Sequence, residues 1–196
     1  MKHFVYFSKS AVTSGNAISM AEGNLMKAGR MDIAIHSVIQ GLFLSHGFRD
    51  DVKMHLVFYG PPDPPKHIEI QFNEGLDISK KDIGNLIKKI LYKYKEGKRT
   101  EVFPGCFVEK KSIFKVVEEL YENGNEVFVL DKKGEDIRKL EIQKDCAFVL
   151  GDHEGLIKKE LKALKKIALP VSIGNMTYFA SQVVAVVNNE LDRRFS

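Results

Sequence analysis

Val149–Leu156 reads VLGDHEGL, and Val171–Ser181 reads VSIGNMTYFAS. Each is an apolar run, then a glycine turn, then the onset of a helical pattern. Short apolar runs that stop at glycine read as buried strands, and an open α/β sheet takes its ligands at the C-terminal ends of such strands. Neither turn is built for phosphate. A phosphate cradle needs a run of backbone N–H groups at a helix start, commonly with a lysine or serine. The chain contains no GxxxxGK[ST], and no GxGxxG that follows a strand with an acid about twenty residues on.

Outward from these turns, strands and helices alternate. HFVYFS (His3–Ser8), VKMHLVFYG (Val52–Gly60), HIEIQF (His67–Phe72), EVFVLD (Glu126–Asp131), CAFVLGD (Cys146–Asp152) and ALPVSI (Ala168–Ile173) read as strands, and TEVFPGCFVE contains a short one. Helical periods run from Ile33 to a stop near Gly47, behind Ser79 through Ile83 and Leu91, and from Ser112 to Gly124. Two more cover Leu156–Ile167 and Thr177–Arg193. The segment through Gly29 reads as loop, GPPDPP (Gly60–Pro65) as a rigid turn, and KKGEDIRKLEI as a polar connection. Continuous apolar strands alternating with helices imply an α/β fold, a mostly parallel sheet with helices on both faces.

Composition bounds the rest. With 44% apolar and 10% aromatic residues, 196 residues suffice for one cored domain, and 29% charge is ordinary for a folded chain. A net charge of +4 permits a polyanionic partner without demanding one. Cys106 and Cys146 sit in apolar runs and form no CxxC pair, so they read as small buried hydrophobes rather than a disulfide. The opening MKHFVYFSKS lacks the apolar core of a secretory signal, and VVAVV (Val183–Val187) is too short to span a bilayer. No membrane is expected, and the expected location is cytoplasmic. The histidines show no HxxxH or related spacing, so no metal is expected.

In place of a phosphate cradle, Asp152 and Glu154 put two carboxylates into the expected first turn of a helix. There they suit a cation or ribose hydroxyls, or they simply cap the helix. VLDKKG, with Leu130–Gly134 at the end of its strand, is a third turn of the same kind. A nucleoside with a positive centre and no phosphate meets these demands, which points to S-adenosylmethionine. Leu130 and Ile173 would flank the adenine, with main chain near Gly151, Gly174 and Met176 reading its edge.

The order VFVLD, FVLGDHEGL, LPVSIGNMTYFASQVVAVVNNELDR resembles the C-terminal half of the SPOUT RNA methyltransferases. That resemblance implies a deep trefoil knot, with the S-adenosylmethionine-binding region at about 126–196 of a single domain covering 1–196. Its cofactor loops fall here on Leu130, Gly151, Asp152, Gly155, Ser172, Ile173, Gly174, Asn175, Met176 and Thr177. GRMDIAIHSVIQGLFLSHG followed by VKMHLVFYGPP is more specifically similar to the archaeal tRNA pseudouridine N1-methyltransferases, nearly end to end. The implied activity is methylation of N1 of pseudouridine at position 54 in the tRNA T loop. RxDI at Arg30–Ile33 also resembles the RPDI motif of the related ribosomal enzymes, with Met31 in place of proline. Those enzymes carry an arginine-rich stretch where PPDPPKHIEI offers only Lys66 and His67, which favours the tRNA branch. An rRNA methyltransferase or ribosome-assembly factor, and a non-catalytic RNA-binding protein of the same fold, stand as alternatives.

Individual residues carry two readings each. Asp32 complements a helix dipole and Arg30 is its ion pair, or, as the resemblance implies, Arg30 contacts RNA while Asp32 fixes its side chain. Asp63, stiffened by proline flanks, is a solvated turn residue or a catalytic or orienting carboxylate. Lys66 is the candidate RNA contact beside it. His153 is a base or ligand, or an exposed turn residue. The lysine face of LIKKELKALKK is solvated or meets phosphate. The helix from Thr177 is apolar almost all round, so it is either core or, by the resemblance, a homodimer interface.

Overall fold

The computed structural model describes residues 1–21, 24–72 and 78–195. It has a β1 strand at Lys2–Ser8, helices α1 (Gly15–Met20) and α2 (Met31–Leu42), and a small hairpin of β2 (Phe43–Leu44) and β3 (Gly47–Phe48). There follow β4 (Val52–Phe58), β5 (Lys66–Ile70), a 3-10 turn at Lys80–Asp82, α3 (Ile83–Tyr92), β6 (Thr100–Phe103), β7 (Cys106–Glu109) and α4 (Ile113–Glu122). The last part holds β8 (Glu126–Asp136), β9 (Cys146–Gly151), α5 (Lys158–Leu164), β10 (Leu169–Ser172) and α6 (Ala180–Phe195). Eight strands form one sheet in the order β10-β8-β9-β1-β4-β5-β7-β6.

The sheet is mixed. From β10 to β4 every neighbouring pair is parallel, whereas β5, β7 and β6 pair antiparallel. The expectation of a mostly parallel sheet therefore holds for one half and is corrected in the other. The reason is chain length. A parallel crossover takes a dozen or more residues, and the turn from Phe58 to Lys66 supplies too few, so HIEIQF folds straight back on its predecessor. TEVFPGCFVE likewise contains two strands, folded about Gly105 at φ 77°.

Strand alternation assigns the two faces. Phe4 and Tyr6 point into the larger core under α2, α3 and α6. Val5 and Phe7 point into the smaller one under α4 and α5. Because both faces of β1 are covered, all seven of its residues are buried. Each large aliphatic side chain so buried contributes about 1.5–3 kcal/mol. α6 lies on α2 through Val184, Val187 and Leu191. Its end is held by Asp192, paired with Arg49 and Lys2, and by Arg194, which donates to the Ile137 and Leu140 carbonyls.

Several boundaries move. The segment expected as loop through Gly29 contains α1, capped by Ser14, while its residues 22 and 23 lie outside the described residues. α2 stops at Leu42, before Gly47, because the chain turns into the small hairpin. α5 begins at Lys158 rather than Leu156, and α6 at Ala180 rather than Thr177. Ser112 caps α4 as expected. Cys106 and Cys146 are free and buried, and burial pushes both thiols up to about 12. No helix among the described residues is long and apolar enough to cross a membrane.

Candidate functional site

Five parallel strands end on one edge, so the loops leaving them gather there. β8 and β10 pair at Val129–Pro170 and again at Glu135–Val171, so residues 130–134, within β8, bulge out of this ladder as a looped-out stretch, and the strand runs on to Asp136 into the expected polar connection. A Cβ on Gly134 would stand 2.4 Å from the Val171 nitrogen, so this loop grips β10 closely. After β9 the chain turns back on itself. A Cβ on Gly151 would lie 2.5 Å from the Gly155 carbonyl carbon, and Gly155 has φ 73°. After β10, the Ser172 hydroxyl accepts from the Gly174 N–H at 3.1 Å.

These three loops wall a cavity of about 390 Å³. Of the residues expected to bind the donor, Leu130, Gly151, Asp152, Gly155, Ser172, Ile173, Gly174, Met176 and Thr177 line it, and Asn175 does not. Sequence reasoning missed Ile33 from α2, and Tyr178, Phe179, Ala180 and Val183 at the start of α6. Phe179 is 74% exposed, an apolar side chain ahead of a helix that could have signalled a surface in need of cover. The walls mix apolar Leu130, Leu150, Val171 and Ile173 with the carboxylates Asp131 and Asp152. That donor set fits a cationic nucleoside and offers no phosphate cradle.

Asp152 and Glu154 do not occupy a helical first turn, which is a correction. Asp152 begins a tight turn that ends at Gly155, and its Oδ1 accepts from the Glu154 N–H at 2.8 Å. Its side chain is fully buried, and Oδ2 accepts from the Ser8 hydroxyl at 2.6 Å. His153 is 44% exposed at its side chain, 3.9 Å from Asp152 Oδ1, and lines the cavity mouth. Asp131 is held by Lys165 at 2.7 Å and by the Lys133 N–H, and those two hydrogen bonds hold its carboxyl below the usual range.

Arg30 stands just before α2 on the same edge. Its Nε and Nη2 donate to the two oxygens of Asp32, each at 3.0 Å, a bidentate pair that lowers the Asp32 pKa. Arg30 has φ 61° and ψ 41°, and it is the non-glycine residue with positive φ among the described residues. A left-handed backbone at such a residue costs about 1–2 kcal/mol. Strain of this kind collects at functional sites.

Asp63 and Lys66 lie elsewhere on that edge, outside the cavity wall. Asp63 accepts from Lys110 and from Lys66, and these hydrogen bonds hold its carboxyl down. A carboxylate so held is a poor proton acceptor. Lys66 is the clearer correction. Its side chain is 2% exposed, its ammonium sits between Asp63 and the Tyr94 ring, and so it presents no charge to RNA. Lys110, on the other side of Asp63, is 42% exposed.

Away from the cavity, three histidines come together that no spacing in the sequence announces. His3 Nδ1 faces His55 Nε2, His55 Nδ1 faces His67 Nε2, and His67 Nδ1 faces Glu109, each at 3.0 Å. Glu109 accepts, so each ring carries its proton on Nδ1. His55, His67 and Glu69 bring ligand atoms within 4.8 Å of one another. The His55 and His67 ring planes lie 11° from parallel with centroids 5.2 Å apart, and the facing nitrogens are 3.0 Å apart. As it stands the pair is hydrogen-bonded.

A mixed α/β sheet with an apolar, carboxylate-bearing cavity among the exit loops of its parallel strands has its candidate ligand site where open α/β sheets take their ligands. A family model described as "Putative SAM-dependent RNA methyltransferase" matches residues 1–195, and the chain belongs to that family. Its curated relatives include the tRNA (pseudouridine(54)-N(1))-methyltransferase of Methanococcoides burtonii, 33% identical with 100% of this chain and 98% of that one covered. The enzyme of the same name from Thermococcus kodakarensis is 34% identical over 98% of this chain and 99% of its own. The solved structure of Archaeoglobus fulgidus Nep1 bound to S-adenosylhomocysteine matches with a TM-score of 0.62 at 16% identity, over 98% of this chain and 97% of that one, a likeness of fold. The resemblance read from the sequence is thereby borne out.

Proposed function

We propose that the chain transfers the methyl group of S-adenosylmethionine to N1 of pseudouridine 54 in the T loop of tRNA. The observation that carries this reading is that Ile33, one turn into the helix headed by Arg30, belongs to the cavity wall. The donor pocket and the candidate RNA-side arginine thus share one surface. Leu130 and Ile173 flank the adenine, and main chain at Gly151, Gly174, Met176 and Thr177 reads its edge, with Ser172, Asn175 and Gly155 shaping the loops. The donor supplies an already electrophilic methyl on sulfur, so the protein's work is chiefly positioning. Arg30, held by Asp32, stabilises charge on the base carbonyls as N1 gives up its proton. Asp63 orients Lys110 toward RNA phosphate.

The single domain covers 1–196. Its segment from about 126 onward is threaded as a trefoil knot, a reading supported by the close grip of the 130–134 loop on β10. Two copies pack through α6, whose flank leaves Val183 and Val186 half-exposed beside the exposed Phe179. Such an enzyme works in the cytoplasm on tRNA.

The test is tritiated methyl transfer to a tRNA transcript with and without prior pseudouridylation. Label confined to the pseudouridylated transcript is expected. Equal label on unmodified uridine overturns the substrate, and label on rRNA alone transfers the assignment to the ribosomal branch.

A further inference from the structure

The geometry points to Ser8 as a positioning residue that ties the methyl-donor loop to the segment bearing Arg30. The inference rests on the donor reading of the cavity. Ser8 is fully buried at the end of β1. Its hydroxyl has one proton to give, and it gives it to Asp152 Oδ2 at 2.6 Å. The same oxygen accepts from the Ala11 N–H at 3.0 Å. On one side, then, Ser8 fixes a carboxylate in the cavity wall that also caps the Glu154 N–H. On the other it fixes the loop after β1.

That loop has no slack. A Cβ on Gly29 would stand 1.8 Å from the Ser10 carbonyl oxygen, and one on Gly60 would stand 2.3 Å from it. The Ser10 hydroxyl also donates to the Gly29 carbonyl at 3.3 Å. Gly29 leads directly into Arg30. A displacement of the donor loop therefore passes through Asp152, Ser8 and the 9–11 backbone to the arginine. Asp152 accordingly acts as a strut, with both oxygens engaged inside the protein and its side chain fully buried.

The pair is expected to set how accurately donor and base meet, rather than how tightly the donor binds. Misplacement of about 1 Å costs on the order of a hundredfold in rate. In Ser8→Ala, with folding checked by its Tm, kcat for methyl transfer should fall by about tenfold or more, while calorimetric Kd for S-adenosylmethionine stays within about threefold. Ser8→Thr, which keeps the hydroxyl, should recover most of the lost kcat. Should Ser8→Ala fail to fold, hydrogen exchange on the wild-type protein decides: the donor should slow the Ala11 and Glu154 amides together. Wild-type kcat in Ser8→Ala, a parallel loss of kcat and donor affinity, a folded Ser8→Thr without recovery, or donor protection of Glu154 alone overturns the inference. A wild-type protein that transfers no methyl group at all sinks the donor reading instead.

Discussion

The two halves of the sheet differ in strand direction and do different things. In the parallel half every strand leaves at the same edge, so its loops converge and enclose a cavity. In the antiparallel half successive strands leave at opposite edges, so their connections are divided between the two. What that half offers instead is cross-strand pairing: its His67 and Glu109 close a histidine ladder that starts on β1 and β4, and the Asp63 group with its two lysines sits at the turn into β5. Strand direction, more than composition, decides which half can hold a small molecule.

The comparison is broken most severely at the cavity loops. Gly151→Val puts side-chain atoms where the Gly155 backbone lies 2.5 Å from the added Cβ. Donor affinity should fall at least about a hundredfold, a loss of about 2.7 kcal/mol measurable by calorimetry. Gly97→Ala, at φ 69° with open space around it, should cost about 1 kcal/mol of stability in denaturant melts and leave donor binding intact. Next comes Arg30. Arg30→Ala should lower kcat/KM by about 30- to 100-fold, the loss of a charge-assisted contact worth about 2–3 kcal/mol, with donor Kd unchanged. Arg30→Gly should lose the same activity and still melt no lower than the wild type, because glycine relieves the left-handed backbone.

The difference between the halves also marks what the sequence could disclose. The cavity loops were legible because strand, glycine and turn are local signals, and nine of the ten residues assigned from them line the cavity. The helix of Arg30 was legible as a helix, but its approach to the cavity through Ile33 depends on α2 and α6 packing together, which no local pattern encodes. The antiparallel edge had a readable clue, since GPPDPP is too short for a crossover. The histidine ladder had none. Alternation places His3, His55 and His67 on a face of their own strands, but not on neighbouring strands, and the inward turn of Lys66 depended on Asp63 and Tyr94 meeting it there.

Smaller effects come from the histidine ladder, which starts on β1 and β4 and ends in the antiparallel half on β5 and β7. Burial, with Lys53 second, lowers His3 from 6.5 to about 4. Burial and the flanking His67 and His3 lower His55 well below its ordinary value. In the unfolded chain both titrate near 6.5, so that state takes up protons first as the pH falls. Stability present above pH 6.5 is therefore lost as the pH drops toward 4, at about 1.4 kcal/mol per pH unit for each group. Burial pushes Glu109 upward, but hydrogen bonds from His67 and Lys111 outweigh it and hold it at about 2, so its contribution starts to fail only below pH 4.5. Urea midpoints between pH 7 and pH 4 should show this loss, and His3→Phe should flatten the slope. The smallest expected effect is at Asp63. Asp63→Asn should raise the tRNA KM by about threefold and leave kcat nearly unchanged, as fits a contact of about 0.6 kcal/mol outside the reacting centre.

The central claim is that the three loops of the parallel half hold a cationic methyl donor. Isothermal titration of the purified protein with S-adenosylmethionine tests it most directly. The account predicts saturable binding at one site per chain, abolished by Gly151→Val and retained by Gly97→Ala. No heat with either S-adenosylmethionine or S-adenosylhomocysteine, or binding that Gly151→Val leaves untouched, would contradict it.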